Sequence, residues 1–163
     1  MRRLLFIGTL TLAGLAAVPG ALGAQSVAAR TPGSVQLSLQ NGRGLAVIQL
    51  RGALLGRIRA GRIVATRNVV VRCWKYRTEL ASGLIRYRGR GEDCASIALY
   101  VSSQNGDGTW HVRIRGRGIN VSGVARGSLT LDGANTGPTG TYSIGGRAKK
   151  PWPRGSRTFS LAP

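Results

Sequence analysis

Acidic residues and histidine are scarce in this chain. Only five of its 163 residues are Asp or Glu, and His111 is its one histidine. Two cysteines and one histidine are too few ligands for a structural zinc site. The adjacent Glu92 and Asp93 would point to opposite faces of a strand, whereas a glycosidase needs two carboxyl groups that face each other across the substrate. We therefore predict no metal, no cofactor and no catalytic residue.

A catalytic triad can be written only loosely for this sequence. His111 with Asp107 or Asp132 and any serine would supply the three groups, but no nucleophile elbow surrounds a serine. His111 also belongs to the alternating series His111, Arg113, Arg115, which is typical of an exposed strand face. We predict a non-enzymatic protein. The alternatives are a small secreted hydrolase and a barrel that holds an apolar ligand in its lumen.

Long apolar runs are absent after residue 24, and the first 24 residues are predicted to be a secretory signal peptide. Met1-Arg2-Arg3 is basic, Leu4 to Val18 is almost wholly apolar, and Pro19-Gly20 ends the run before a group of small residues. This order is typical of a cleaved signal, and the run is shorter than the roughly 20 residues of a membrane span. We expect a mature chain without a transmembrane segment, secreted to the extracellular space or held in the cell envelope.

The two cysteines, Cys73 and Cys94, are predicted to form a disulfide. An even number of cysteines in an exported protein favours a bridge, because the compartment is oxidising. Two buried free thiols are the alternative.

Helical periodicity is missing as well, and period-two alternation replaces it. The segment 34–40 alternates between Val35, Leu37, Leu39 and polar residues, and the same pattern recurs at 95–102, 110–115 and 128–132. Turn signals separate these segments, among them Asn41-Gly42, Asn105-Gly106-Asp107-Gly108, Asp132-Gly133 and Gly145-Gly146. Residues 25–33 are predicted to be a flexible N-terminal segment, and residues 34–163 a single all-β domain. The predicted fold is an antiparallel β-sandwich or small β-barrel of about eight to ten short strands, and a β-helix is the alternative.

A faint internal repeat accompanies the strand pattern. Residues 48–52 match residues 112–116 in type, and residues 58–65 match residues 124–131, at separations of 64 and 66 residues. Duplication is one explanation. The other is the self-similarity of any β protein that is rich in Gly, Arg, Val and Leu.

The most distinctive segment is Arg115–Gly133. Together with Gly140-Thr141-Tyr142-Ser143-Ile144, Trp152-Pro153 and Phe159, it resembles uncharacterised small exported Gly/Arg-rich all-β proteins of high-GC bacteria. The resemblance covers about residues 43–163. It implies an exported β domain and carries over no functional residues, and Cys73 and Cys94 are not part of the shared pattern.

Positive charge is abundant, and most of it is arginine. The chain has a formal net charge of +19, which favours polyanionic partners. Two series recur at every second residue and would each occupy one strand face: Arg86, Arg88, Arg90 and Arg113, Arg115, Arg117. Arg57 and Arg59 form a shorter pair, and Tyr87 and Tyr100 are candidates for added stacking. We predict that the two series bind an anionic cell-wall polymer or polysaccharide, with no specific nucleic acid as partner. A merely solvated arginine face is the alternative.

Overall fold

The computed structural model describes residues 33–101, 108–135 and 139–162. This part of the chain contains no helix, and all its strand pairs are antiparallel. The nine strands are β1 (Val35–Ala65), β2 (Val70–Arg72), β3 (Trp74–Glu79), β4 (Ile85–Arg90), β5 (Ile97–Val101), β6 (Trp110–Asp132), β7 (Thr141–Ile144), β8 (Lys150–Pro151) and β9 (Arg157–Leu161). The all-β antiparallel prediction is confirmed. The alternative of a β-helix is wrong, because rungs of that fold pair in parallel.

The sheet closes almost completely because its two longest strands pair with each other twice. Residues 112–125 of β6 pair on one edge with residues 35–48 of β1, and on the other edge with residues 52–65. Ile114, for example, lies between Ala46 and Ile63. The result is a single nine-stranded sheet of nearly closed, barrel-like shape.

Four short branches extend this centre. β5 and then β2 follow residues 54–58 of β1, and β4 and then β3 follow residues 62–65. β7 and then β8 follow residues 37–40 of β1, and β9 pairs with the end of β6. Two of these branches carry the surfaces discussed below.

The prediction of uniformly short strands is wrong for β1 and β6, which have 31 and 23 residues. Asn41-Gly42 does not end a strand but bends β1, and the ladder resumes after a register shift between Leu39 and Gly42. Gly61 and Gly116 face each other across the ladder, and a Cβ on either would overlap a carbonyl oxygen of the opposite strand. Glycine therefore allows tight coiling here without interrupting the pairing.

The predicted alternation decides what is buried. Val35, Leu37 and Leu39 point inwards, and so do Trp110, Val112 and Ile114, while His111, Arg113 and Arg115 are exposed. One cluster of buried apolar side chains from β1, β2, β4, β5, β6, β7 and β9 fills the interior. No described polar or charged residue is buried among them, so every arginine of the described chain is available to solvent or to a ligand.

The internal repeat falls on the two intertwined strands. Residues 48–52 lie on β1 and residues 112–116 on β6, where Ile48 pairs with Val112. A shift of 66 residues, the spacing of the second match, converts the pair Gly61–Gly116 into the pair Gly127–Leu50, and both pairs are present. Gly61 and Gly127 also share a positive φ, 144° and 141°. The repeated segments therefore occupy equivalent places in the central ladder.

The predicted disulfide is present. Cys73 and Cys94 are bonded, with their Cα atoms 5.8 Å apart. The bridge joins the residue before β3 to the segment after β4, so it closes the base of the β3–β4 hairpin. β3 is an edge strand on which all six residues are exposed, so the disulfide holds a hairpin whose outer strand contributes nothing to the core.

Some predictions fall outside the described residues. These are the signal peptide at 1–24, nearly all of the segment 25–33, and residues 105–107 of one predicted turn. Among the described residues, none forms a helix of the length and apolarity that crossing a bilayer requires.

Candidate functional site

The two predicted arginine series lie on one face of the sheet, separated by one strand. β4 carries one series, β6 carries the other, and residues 62–65 of β1 run between them. That strand adds Arg62, which pairs with Arg88 on one side and with Arg115 on the other. Paired residues of an antiparallel sheet have Cα atoms about 4.5–5.5 Å apart. Three arginines therefore stand side by side across three strands.

A second row lies beside the first. Arg86 and Arg113 flank the half-buried Val64. We call Arg62, Arg86, Arg88, Arg113 and Arg115 the arginine face.

The two remaining members of the predicted set lie at its margin. Arg90 is opposite Trp74 on β3, and Arg117 lies between Ala60 and Arg43 on the two halves of β1. The structure thus brings four of the six predicted arginines into one patch.

Electrostatic repulsion within the arginine face has no internal compensation. Like charges directly opposite each other across strands are destabilising. The ion pairs of the described chain join Arg67 to Glu79 and Lys75 to Glu92, so none includes an arginine of the face. Asp132 is separated from Arg115 by Leu45, and its carboxylate accepts a hydrogen bond from the Ala134 amide at 2.7 Å. The five guanidinium groups are therefore unneutralised by described carboxylates.

Two depressions in the surface run over this face. One, of about 560 Å³, is lined by four of its arginines and by Gly61 and Gly89. Because glycine has no side chain, the two glycines open space between the arginines. The second depression, of about 370 Å³, adds Arg113 and His111 to Arg62, Arg86 and Arg115 and has Leu80 and Leu84 on its wall. Each guanidinium can hold a carboxylate, sulfate or phosphate through two parallel hydrogen bonds.

Aromatic side chains adjoin the arginine face, but not the two that the sequence indicated. Tyr87 is buried, with 5% of its surface exposed, and Tyr100 lies on β5, in a different branch of the sheet. The expectation that these two tyrosines stack on a ligand of the arginine face is wrong, because alternation turns Tyr87 inwards and the register places Tyr100 elsewhere. Instead Tyr76, 58% exposed, pairs with Arg88, and Trp74, 38% exposed, pairs with Arg90.

His111 is exposed within the second depression and surrounded by arginines. Its backbone carbonyl accepts a hydrogen bond from the Thr66 amide at 3.1 Å. Asp107 lies outside the described residues, and Asp132 lies on the far side of Leu45 as seen from Arg115. Within the described ranges, no three His, Cys, Asp or Glu side chains come close enough to hold a metal ion. No observation in this part of the chain favours a hydrolytic site.

Sequence reasoning missed Arg62 and Tyr76. Arg62 follows Gly61, and the inward-facing positions of β1 change from even numbers, ending at Ile58, to odd numbers, starting at Ile63. This change of phase turns Arg62 outwards onto the arginine face. The signal in the sequence was Ala60-Gly61-Arg62, a glycine at which a strand changes phase, but the partners of Arg62 depended on long-range register.

Comparison of the chain with protein-family models, with curated proteins and with solved structures finds no match.

Proposed function

We propose that this chain is an exported, non-enzymatic protein of the cell envelope or extracellular space that binds anionic polymers through the arginine face. One observation carries the proposal. Arg88, Arg62 and Arg115 are adjacent on three paired strands, exposed, and without an ion-pair partner in the described chain. Such a row is unfavourable on its own and becomes favourable when a polyanion lies across it.

The proposed ligand class is an anionic wall polymer or an acidic polysaccharide. The strands turn a flat face with repeated guanidinium groups towards solvent, which suits a flexible chain with regularly spaced negative charges. The Cys73–Cys94 disulfide is consistent with an oxidising compartment outside the cytoplasm. The apolar start of the sequence, at residues 4–18, supports export.

The test is retention of the mature protein on immobilised heparin in a sodium chloride gradient. The variant Arg62→Gln/Arg88→Gln/Arg115→Gln removes the row. The control Arg147→Gln/Arg154→Gln/Arg157→Gln removes the same three charges from exposed positions in the region of β7–β9. We expect the row variant to elute at clearly lower salt than the control.

The comparison with the matched control separates a site from net charge. If both triple variants elute at the same salt concentration, binding follows total charge and the arginine face is merely solvated. If duplex DNA of unrelated sequences binds as tightly as heparin at the same salt, the face is a general polyanion site and the preference for glycans is wrong.

A further inference from the structure

We propose that a second groove, in the branch formed by β5 and β2, binds the uronic acid residues of an acidic glycan. It lies away from the arginine face and has a volume of about 730 Å³. Three features of its floor point to this ligand: an apolar row, a pair of arginines, and a group of hydroxyl and amide side chains. The site stands on its own residues, so it holds or fails independently of the arginine face.

The first feature is a row of exposed apolar side chains. Val70, Tyr100 and Leu55 pair in succession across β2, β5 and β1, and they are 40%, 44% and 57% exposed. Adjacent exposed apolar residues of this size mark a binding surface more often than chance exposure does. The C–H face of a pyranose ring is apolar and packs against such a surface, and the ring of Tyr100 offers a flat area at its centre.

The second feature is a pair of arginines in the next row. Arg72 and Arg57 pair with Ala98 from either side, so their Cα atoms are about 10 Å apart. The small Ala98 side chain leaves room between them. Neither arginine has an ion-pair partner in the described residues, and no acidic residue lines the groove. The pair therefore complements one carboxylate placed above Ala98.

The third feature is the polar continuation of both rows. Beyond Leu55 the first row continues with Ser122 and Ser38, and beyond Arg57 the second continues with Asn120. Neither serine hydroxyl has a protein hydrogen-bond partner in the described chain, and both line the groove. The Asn120 amide is fixed, since it accepts from the Asn41 amide at 2.9 Å and donates to the Gly118 carbonyl at 3.1 Å.

These three features together select a uronate over other anions. A fatty acid would use the apolar row and the arginines, but it has no groups for the serines and Asn120. A neutral sugar would use the apolar row and the hydroxyls and leave two arginines without a counter-charge. A uronic acid supplies an apolar ring face, a carboxylate and hydroxyl groups, so it satisfies all three parts of the groove.

The experiment measures binding of a defined galacturonic acid hexamer by calorimetry or fluorescence, with its methyl-esterified form as the uncharged probe. All measurements use the background Arg62→Gln/Arg88→Gln/Arg115→Gln and about 0.5 M sodium chloride, which shortens the Debye length to between about 8 and 3 Å. Under these conditions the arginine face contributes little. We expect the hexamer to bind and the methyl ester to bind roughly tenfold more weakly or worse, because charge-assisted hydrogen bonds are lost.

Single substitutions then locate the binding site. Arg57→Gln and Tyr100→Thr should each weaken hexamer binding by about tenfold. The matched controls are Arg59→Gln, on the same strand but outside the groove lining, and Tyr76→Thr, an equally exposed tyrosine beside the arginine face. Both controls should leave the affinity unchanged, and circular dichroism verifies that each variant is folded.

Three outcomes would overturn the proposal. Equal binding of the hexamer and its methyl ester would show that the arginine pair does not read a carboxylate. Equal effects of the groove substitutions and their controls would place the ligand elsewhere. Displacement of the hexamer by laurate, with tighter binding of laurate itself, would identify the groove as a site for an amphiphilic acid.

Discussion

At the scale of single residues, two opposed glycines hold the centre of the sheet together. Gly61 and Gly116 pair across β1 and β6, and a Cβ on Gly116 would overlap the Ala60 carbonyl oxygen. The φ angle of Gly116 is not in the left-handed region. The requirement for glycine at this position is therefore one of space between two backbones.

We expect Gly116→Ala to lower the free energy of unfolding by roughly 1–3 kcal/mol, because backbone atoms must move to admit the methyl group. Chemical denaturation measures the loss. Gly155→Ala is the control, since no heavy atom lies within 4 Å of its added Cβ and its φ angle is not positive. A Gly116→Ala protein as stable as the Gly155→Ala control would contradict the close approach of the two strands.

Arg62 links stability and binding at the same position. It lies between Arg88 and Arg115, so Arg62→Glu replaces two repulsive cross-strand pairs with two attractive ones. We expect the free energy of unfolding to rise by about 0.2–1 kcal/mol for each pair at low salt. Heparin affinity should fall at the same time, because the row is interrupted by a negative charge.

The control for this opposite change in stability and affinity is Arg59→Glu. It makes the same charge change on the same strand, where Arg59 lies against Gly118 rather than between two arginines. A gain in stability that is equal in both variants would mean that reduced net charge, and not the arginine row, is responsible.

At the scale of structural elements, the β3–β4 hairpin is the part of the sheet that depends most on a covalent link. All residues of β3 are exposed, whereas β4 contributes Ile85 and Tyr87 to the core. β3 nevertheless places Trp74 and Tyr76 opposite Arg90 and Arg88. The disulfide at the base of the hairpin thus supports one margin of the arginine face.

We expect Cys73→Ser/Cys94→Ser to lower the free energy of unfolding by about 2–4 kcal/mol, since the bridge closes a loop across 21 positions of sequence. Amide hydrogen exchange should increase in β3 before it increases in β1 or β6, because an edge strand without buried side chains opens at low free-energy cost. A uniform increase over all strands would indicate that the hairpin is not a separate unit of stability.

At the scale of the whole molecule, charge dominates behaviour. The formal net charge is +19, and no described arginine is buried. A protein of this charge repels itself in the folded state and gains from any bound polyanion. Ligand binding and folding stability are therefore coupled by mass action.

We expect a heparin fragment to raise the thermal unfolding midpoint of the mature protein. At a free ligand concentration about 100 times Kd, the stabilisation is about 2.7 kcal/mol. Differential scanning fluorimetry at rising sodium chloride should show this gain shrinking, because counterions compete for the guanidinium groups. A gain in midpoint that does not depend on salt would argue against an electrostatic interface.

Much of the local structure was predictable because burial in a sheet has a period of two. The alternation at 34–40 and at 110–115 placed the buried and exposed side chains correctly, and therefore placed both arginine series outside. The disulfide was predictable because only two cysteines were available. The bends at Asn41-Gly42 and Gly61 were misread, because a glycine that ends a strand and a glycine that bends it look alike in sequence.

The sequence by itself determined the strand type, the exposed orientation of the arginines, the disulfide and the excess positive charge, since these follow from local alternation and composition. Only the tertiary structure decided which strands are neighbours. It placed β1 between β4 and β6, so that Arg62 joins the two series, and it brought Val70, Tyr100 and Leu55 into one row. The physical reason is that cross-strand register depends on contacts between residues far apart in the chain, and a shift of one residue would turn each side chain to the opposite face.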